Sequence, residues 1–217
     1  LHLLLDYATT RGVPLFFPWQ SLRYSADLFY QIEPAILAAS ILILVGLLRG
    51  WPARLQKKSI FIIFLVLLLL VGGIRMEGRC EAEEEFSGRK ASIYPMPGLF
   101  SWIALQEEGD RYLISRYDLT KGTVSSTQAF PKLTAPSHLK EAEEALDAAD
   151  GLYPVKIFRW RAYAVAVDII SLHNNTWDIE YYDPMVRVQR DGYRSFLRAP
   201  YESLRVAVQG GIARMAE

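Results

Sequence analysis

The stretch Ser59–Ile74 reads SIFIIFLVLLLLVGGI and contains neither a charge nor a proline. A helix of that composition has no polar face to turn toward water, so it must be surrounded by protein or by lipid. Crossing a bilayer takes about 20 residues, with roughly 17 as the lower limit. Cut at its nearest charges the run is slightly short. Lys57 and Lys58 at one end and Arg75 at the other extend it by snorkelling to the interface. A second apolar run, Pro34–Leu48, precedes it and extends backward through Leu28, Phe29 and Tyr30, with Glu33 near its start. Both runs, about 34–48 and 59–74, are read as transmembrane helices, which makes the chain an integral, multi-pass membrane protein.

The segment joining them, Arg49-Gly50-Trp51-Pro52-Ala53-Arg54-Leu55-Gln56-Lys57-Lys58, holds two helix breakers and an interfacial tryptophan. Its basic residues are unmatched by any acid, which places this loop on the cytoplasmic side. Arg75 and Arg79 weaken the contrast across the second helix. With that orientation, both the N-terminus and everything after Arg75 face outward from the inner (plasma) membrane.

Composition adds limits. The 217 residues are 51% apolar, an ordinary average that hides a crowding of apolar residues into the first third. Net charge is zero, so nothing favours a nucleic-acid partner held by bulk charge. Cys80 is the only cysteine, which excludes an intramolecular disulfide and a multi-cysteine zinc site. Glu81, Glu83, Glu84 and Glu85 read as part of a solvated acidic linker over 79–88. The start, Leu1-His2-Leu3-Leu4-Leu5, has no basic n-region and no cleavage site. It reads as the middle of a helix, with the natural protein expected to continue upstream.

From 89 to 217 the pattern becomes that of a water-soluble α+β domain with a mainly antiparallel sheet. Strands are expected at Leu99–Leu105, Tyr112–Tyr117, Thr123–Phe130, Ala162–Val167, Trp177–Tyr182, Met185–Gln189, Tyr193–Leu197 and Leu204–Val208. Lys121-Gly122 and Asn174-Asn175 supply turns. Helices are expected from Ser137, as N-cap, to Leu146, and over Pro154–Trp160. His138 and His173 have no second histidine at metal-ligand spacing. Asp168, Asp178 and Asp183 fall at strand ends, where aspartate commonly makes turns. No nucleophile elbow or phosphate loop is present.

Chemistry is concentrated at the N-terminus. His2 and Asp6 are four residues apart in an apolar helix, so both side chains share one face. Such a pair can chelate a divalent metal, or Asp6 can orient His2 as a base. It can equally be a hydrogen-bonded pair inside a helix bundle. Ionisable groups at membrane depth are expensive, which favours a functional role. Asp27 and Glu33 follow just before the first apolar run, and Thr9 lies one turn beyond Asp6. Gly12 and Pro14 end the helix, and Pro18-Trp19 begin a loop suited to the interface.

The stretch from His2 through Asp6, Thr9 and Gly12 to Pro18 resembles the bacterial membrane-bound, metal-dependent hydrolases of YdjM/YbcI type. These carry a similar His-x-x-x-Asp-x-x-Thr-x-x-Gly pattern, then an aspartate before an aromatic–Ile–Asp–Pro step into the next helix. Here Asp27, Phe29, Ile32, Glu33 and Pro34 fit that step, with Glu33 in place of the usual aspartate and Trp19-Gln20 in place of an aromatic–Ser pair. The resemblance is specific over 2–34 and architectural beyond. It implies His2, Asp6, Asp27 and Glu33 as metal-site residues, with Asp27 and Glu33 as further ligands or the general base. Thr9, one turn beyond Asp6, is placed to hydrogen-bond a ligand or substrate oxygen.

The expectation is a membrane-bound divalent-metal hydrolase acting on a lipid or phosphoester at the membrane surface. A mixed nitrogen and oxygen site suits zinc, and a carboxylate-dominated one magnesium or manganese. The alternative is a non-enzymatic membrane protein whose outer α+β domain binds a partner or an envelope component.

Overall fold

The structure is a computed structural model that describes residues 2–10, 12–30, 33–49, 57–136, 139–172, 176–192 and 202–216. The chain divides into two compact units, one of residues 1–104 with 115–126, the other of 105–114 with 127–217. The expected boundary at residue 89 therefore falls inside the first unit.

The first unit opens with α1 (His2–Ala8), α2 (Pro34–Leu48) and α3 (Lys57–Glu85). α2 begins on Pro34, whose missing N–H costs nothing in a first turn. Its 15 residues span roughly 22 Å at 1.5 Å per residue, less than a bilayer core of about 30 Å. Among the described residues one helix, Ser59–Glu85, is long and apolar enough to cross a membrane. Two such helices were expected, and α2 as described does not reach that length. Of the basic loop used to orient them, Arg49–Lys58, residues 50–56 lie outside the described residues.

α3 runs through the acidic residues expected to form a linker. Glutamate and arginine are good helix formers, and the tertiary contacts agree with them. Ala82 and Phe86 are buried in a small core with Ile93, Trp102, Ala104 and Tyr117. Four strands follow, β1 (Ala91–Pro95), β2 (Ser101–Glu108), β3 (Arg111–Asp118) and β4 (Thr123–Pro131), paired in that order. The last three match the expected strands closely.

The second unit is built on a five-stranded sheet in the order β5 (Leu133–Thr134), β6 (Ala166–Leu172), β7 (Thr176–Tyr182), β8 (Ser203–Gln209) and β9 (Ile212–Met215). Only the β5–β6 pair is parallel. Ile179 faces Ile169 on one side and Val206 on the other, while Trp177 faces Val208. The period of two places these residues on one sheet face. α4 (Leu139–Asp150) and α5 (Tyr153–Arg161) cover that face with Ala142, Ala145, Ala149, Val155 and Phe158.

Met185–Gln189, expected as a strand, lies in α6 (Pro184–Gly192). Asp183 Oδ1 accepts from the Met185 N–H at 3.0 Å, capping the helix, and Pro184 follows the cap. Met185 and Val188 are buried one helical turn apart, a spacing that alternation had obscured. The expected strand Tyr193–Leu197, the Asn174-Asn175 turn, the Ser137 cap, His138 and His173 lie outside the described residues.

Candidate functional site

The His2–Asp6 spacing is realised on α1, which carries both residues, although the His2 side chain lies outside the described residues. Asp6 is half-buried. Thr9 closes the helix locally, its hydroxyl donating to the Asp6 carbonyl at 2.8 Å. The chain then turns at Gly12, whose φ of +57° favours glycine, and where a Cβ would lie 2.5 Å from the Tyr24 carbonyl oxygen. The threonine and glycine of the motif thus have backbone roles: one caps a helix, and the other permits a close turn.

That turn folds residues 24–29 back along α1. The N–H groups of Ala26 and Leu28 donate to the carbonyls of Tyr7 and Ala8, and Thr10 N–H donates to the Phe29 carbonyl. Asp27, between two of these bonds, is thereby carried to the end of the helix that bears Asp6. It adopts a left-handed conformation with φ of 47°. A non-glycine residue rarely does so, and aspartate is among the few that tolerate it. The Ser25 hydroxyl donates to its carboxylate at 2.8 Å. Burial pushes the Asp27 carboxyl above the usual aspartate value, while the Ser25 hydrogen bond and the nearby Arg79 charge act against that shift.

Arg79 on α3 donates to the Ala26 carbonyl and, through Nε, to Glu83 at 2.7 Å. Asp27, Arg79 and Glu83 line a cavity of about 430 Å³, together with Ser87, Arg89 and Tyr94. The Phe29 ring approaches Gly72 of the same helix, where a Cβ would meet it at 3.5 Å. The folded-back segment therefore tracks α3 from Gly72 to Arg79.

Glu33, expected beside Asp27 as a further ligand or base, has another partner. Its Oε2 accepts from Arg75 at 2.7 Å, and both side chains are almost wholly buried. Arg75 also donates to the Met96 carbonyl at 2.9 Å and lies 5.6 Å from the centre of the Trp102 ring. It does not snorkel to water as expected: carbonyls and a carboxylate hold its two terminal nitrogens inside the protein, while its Nε is buried with no hydrogen-bond partner among the described residues. Gly78 makes room for this arrangement, since a Cβ there would lie 2.6 Å from Trp102 Nε1.

Among the described residues no group of three His, Cys, Asp or Glu side chains is placed to hold a metal ion. Asp6 and Asp27 lie on adjoining backbone segments, and Asp6 is not among the residues that line the cavity at Asp27. Arg75 and Arg79 were not singled out as site residues. The available signal was their spacing of four on one helix face just beyond the apolar run.

Residues 1–79 match the model of one protein family. It is the YdjM inner membrane protein family. The match covers α1, α2, the folded-back segment and α3 as far as Arg79, about a third of the chain. Comparison with curated proteins and with solved structures gives no match.

Proposed function

We propose that the chain is a membrane-bound hydrolase of the bacterial inner membrane that uses a divalent metal at the end of α1. The observation that carries this reading is the return of 24–29 onto α1, which sets Asp27, in a strained backbone conformation, beside the helix bearing His2 and Asp6. Left-handed aspartate costs on the order of 1 kcal/mol, and such strain concentrates at functional sites. The YdjM match over the same residues and its inner-membrane description point the same way. His2, Asp6 and Asp27 would hold the metal, which would lower the pKa of a bound water and polarise a scissile ester. Thr9 holds the helix end that presents Asp6. The membrane-facing position suits a lipid or phosphoester substrate.

The second reading is non-enzymatic, and the Glu33–Arg75 pair favours it. It removes one carboxylate from the proposed site and gives it a packing role. Metal analysis of the full chain purified in detergent separates the two. The hydrolase reading expects about one equivalent of zinc, magnesium or manganese, lost in a His2→Ala, Asp6→Ala double variant. Equal metal content in both proteins contradicts it.

A further inference from the structure

We infer that the cavity between Asp27 and Arg89 binds the head group of a zwitterionic aminophospholipid, with Arg79 and Arg89 on the phosphate and Asp27 and Glu83 on the ammonium. The inference rests on the membrane half of the proposed function, and it shares Asp27 with the proposed metal site, so it is stated for the metal-free protein.

Depth is the first argument. The uncharged run of α3 ends at Ile74. At 1.5 Å per residue, Arg79 stands about 7 Å beyond it. The head-group layer on each side of a bilayer is roughly 5–8 Å thick. Arg79 is therefore at the outer edge of the head-group layer, and Glu83, one turn further at about 13 Å, faces the water just outside it.

Charge is the second. The four ionisable side chains named above line one cavity of about 430 Å³ and sum to zero. A site for an anionic lipid would carry an excess of cations, as clusters that recognise such lipids do. A balanced set instead matches a ligand with one charge of each sign. Its polar groups are also held in place: Arg79 is fixed by the Ala26 carbonyl and Glu83, and Asp27 by Ser25. Phe86 and Ile93 add apolar lining for the glycerol end.

Membrane access is the third. Next to the folded-back segment, Leu15, Phe16, Phe17, Trp19 and Leu22 are all exposed, Trp19 to 86%. The turn carrying them is joined to 24–29 through the Val13–Tyr24 bridge. Tryptophan and phenylalanine in that setting favour the interface, so the segment that carries Asp27 to the cavity is continuous with a surface suited to lipid.

The test uses the full chain in detergent with EDTA present, so that loss of metal cannot be mistaken for loss of lipid binding. Short-chain phosphatidylethanolamine, phosphatidylglycerol and soluble glycerophosphoethanolamine are titrated and followed by tryptophan fluorescence and native mass spectrometry. Phosphatidylethanolamine is expected to bind roughly tenfold more tightly than phosphatidylglycerol, and Arg89→Glu, an exposed position, to lose about tenfold while keeping its thermal midpoint. The soluble head group is expected to bind more weakly than the lipid. Equal affinity for the two lipids, or an unchanged Arg89→Glu, overturns the inference. Equal binding of the soluble head group overturns the lipid source.

Discussion

The two ends of this chain use apolar residues in opposite ways. On α3, Phe61 and Leu69 are each 66% exposed and Leu70 61%, whereas Arg75 on the same helix is fully buried. In the five-stranded sheet Ile179 and Val206 are fully buried, and the arginines that pair with Glu180, Arg187 and Arg205, keep contact with solvent. A helix that shows leucine outward and hides arginine inward suits a solvent of hydrocarbon, where an unpaired charge is costly and an aliphatic surface is not. The sheet follows the rule for water. Burial in the two regions is therefore driven by different terms: ion pairing and hydrogen bonding in one, removal of apolar surface from water in the other.

Arg75→Ala should have the largest effect. It leaves Glu33 as an uncompensated buried carboxylate, which costs about 3–5 kcal/mol. Thermal melting in detergent micelles would show it, and an unchanged midpoint would mean that the buried pair does not hold α2 to α3. Ile179→Ala removes core packing in the second unit and should cost about 2–5 kcal/mol, seen as a lower urea midpoint of the β-sheet signal. Leu69→Ala, a similar truncation on α3, should leave that midpoint unmoved. A comparable loss at both positions would abolish the distinction between the regions.

The smallest effect concerns Asp27. Burial raises its carboxyl in the folded state, so the folded chain takes up a proton more readily than the unfolded one. Its contribution to stability therefore grows as pH falls through the raised value and is lost as pH rises above it. Asp27→Asn should be more stable than the wild type at neutral pH and should flatten this dependence, measured by melting at several pH values. An Asp27→Asn protein that melts lower at neutral pH would mean that Arg79 and Ser25 outweigh burial.

The legibility of the fold in the sequence tracked the strength of local signals. The apolar run of α3 and the alternating strands β3, β7 and β8 were readable because their periodicity reports burial directly. The last turns of α3 were misread as linker because their helical state depends on Ala82 and Phe86 meeting Trp102, a contact distant in sequence. α6 was misread because Met185, Val186 and Val188 satisfy both periods, and the deciding signal was the Asp183-Pro184 start. At the site, the spacing of His2 and Asp6 on one helix is legible, as is the end of that helix by Gly12 and Pro14. The partner of Glu33 was not: a carboxylate before an apolar helix is compatible with a ligand or an ion pair, and only the position of Arg75 on α3 decides.

The central claim is that α3 lies in hydrocarbon up to about Ile74 and leaves it before Cys80. The single native thiol makes this directly measurable, since Cys80 is exposed on the helix surface. Sealed membranes permeabilised to give access from both sides would be treated with a charged maleimide. The wild type would be compared with a Cys80→Ser chain carrying Val66→Cys, a position 49% exposed on the same helix. Rapid labelling at Cys80 and protection at position 66 until detergent is added is the result this account predicts. Equal labelling at both positions before detergent would contradict it.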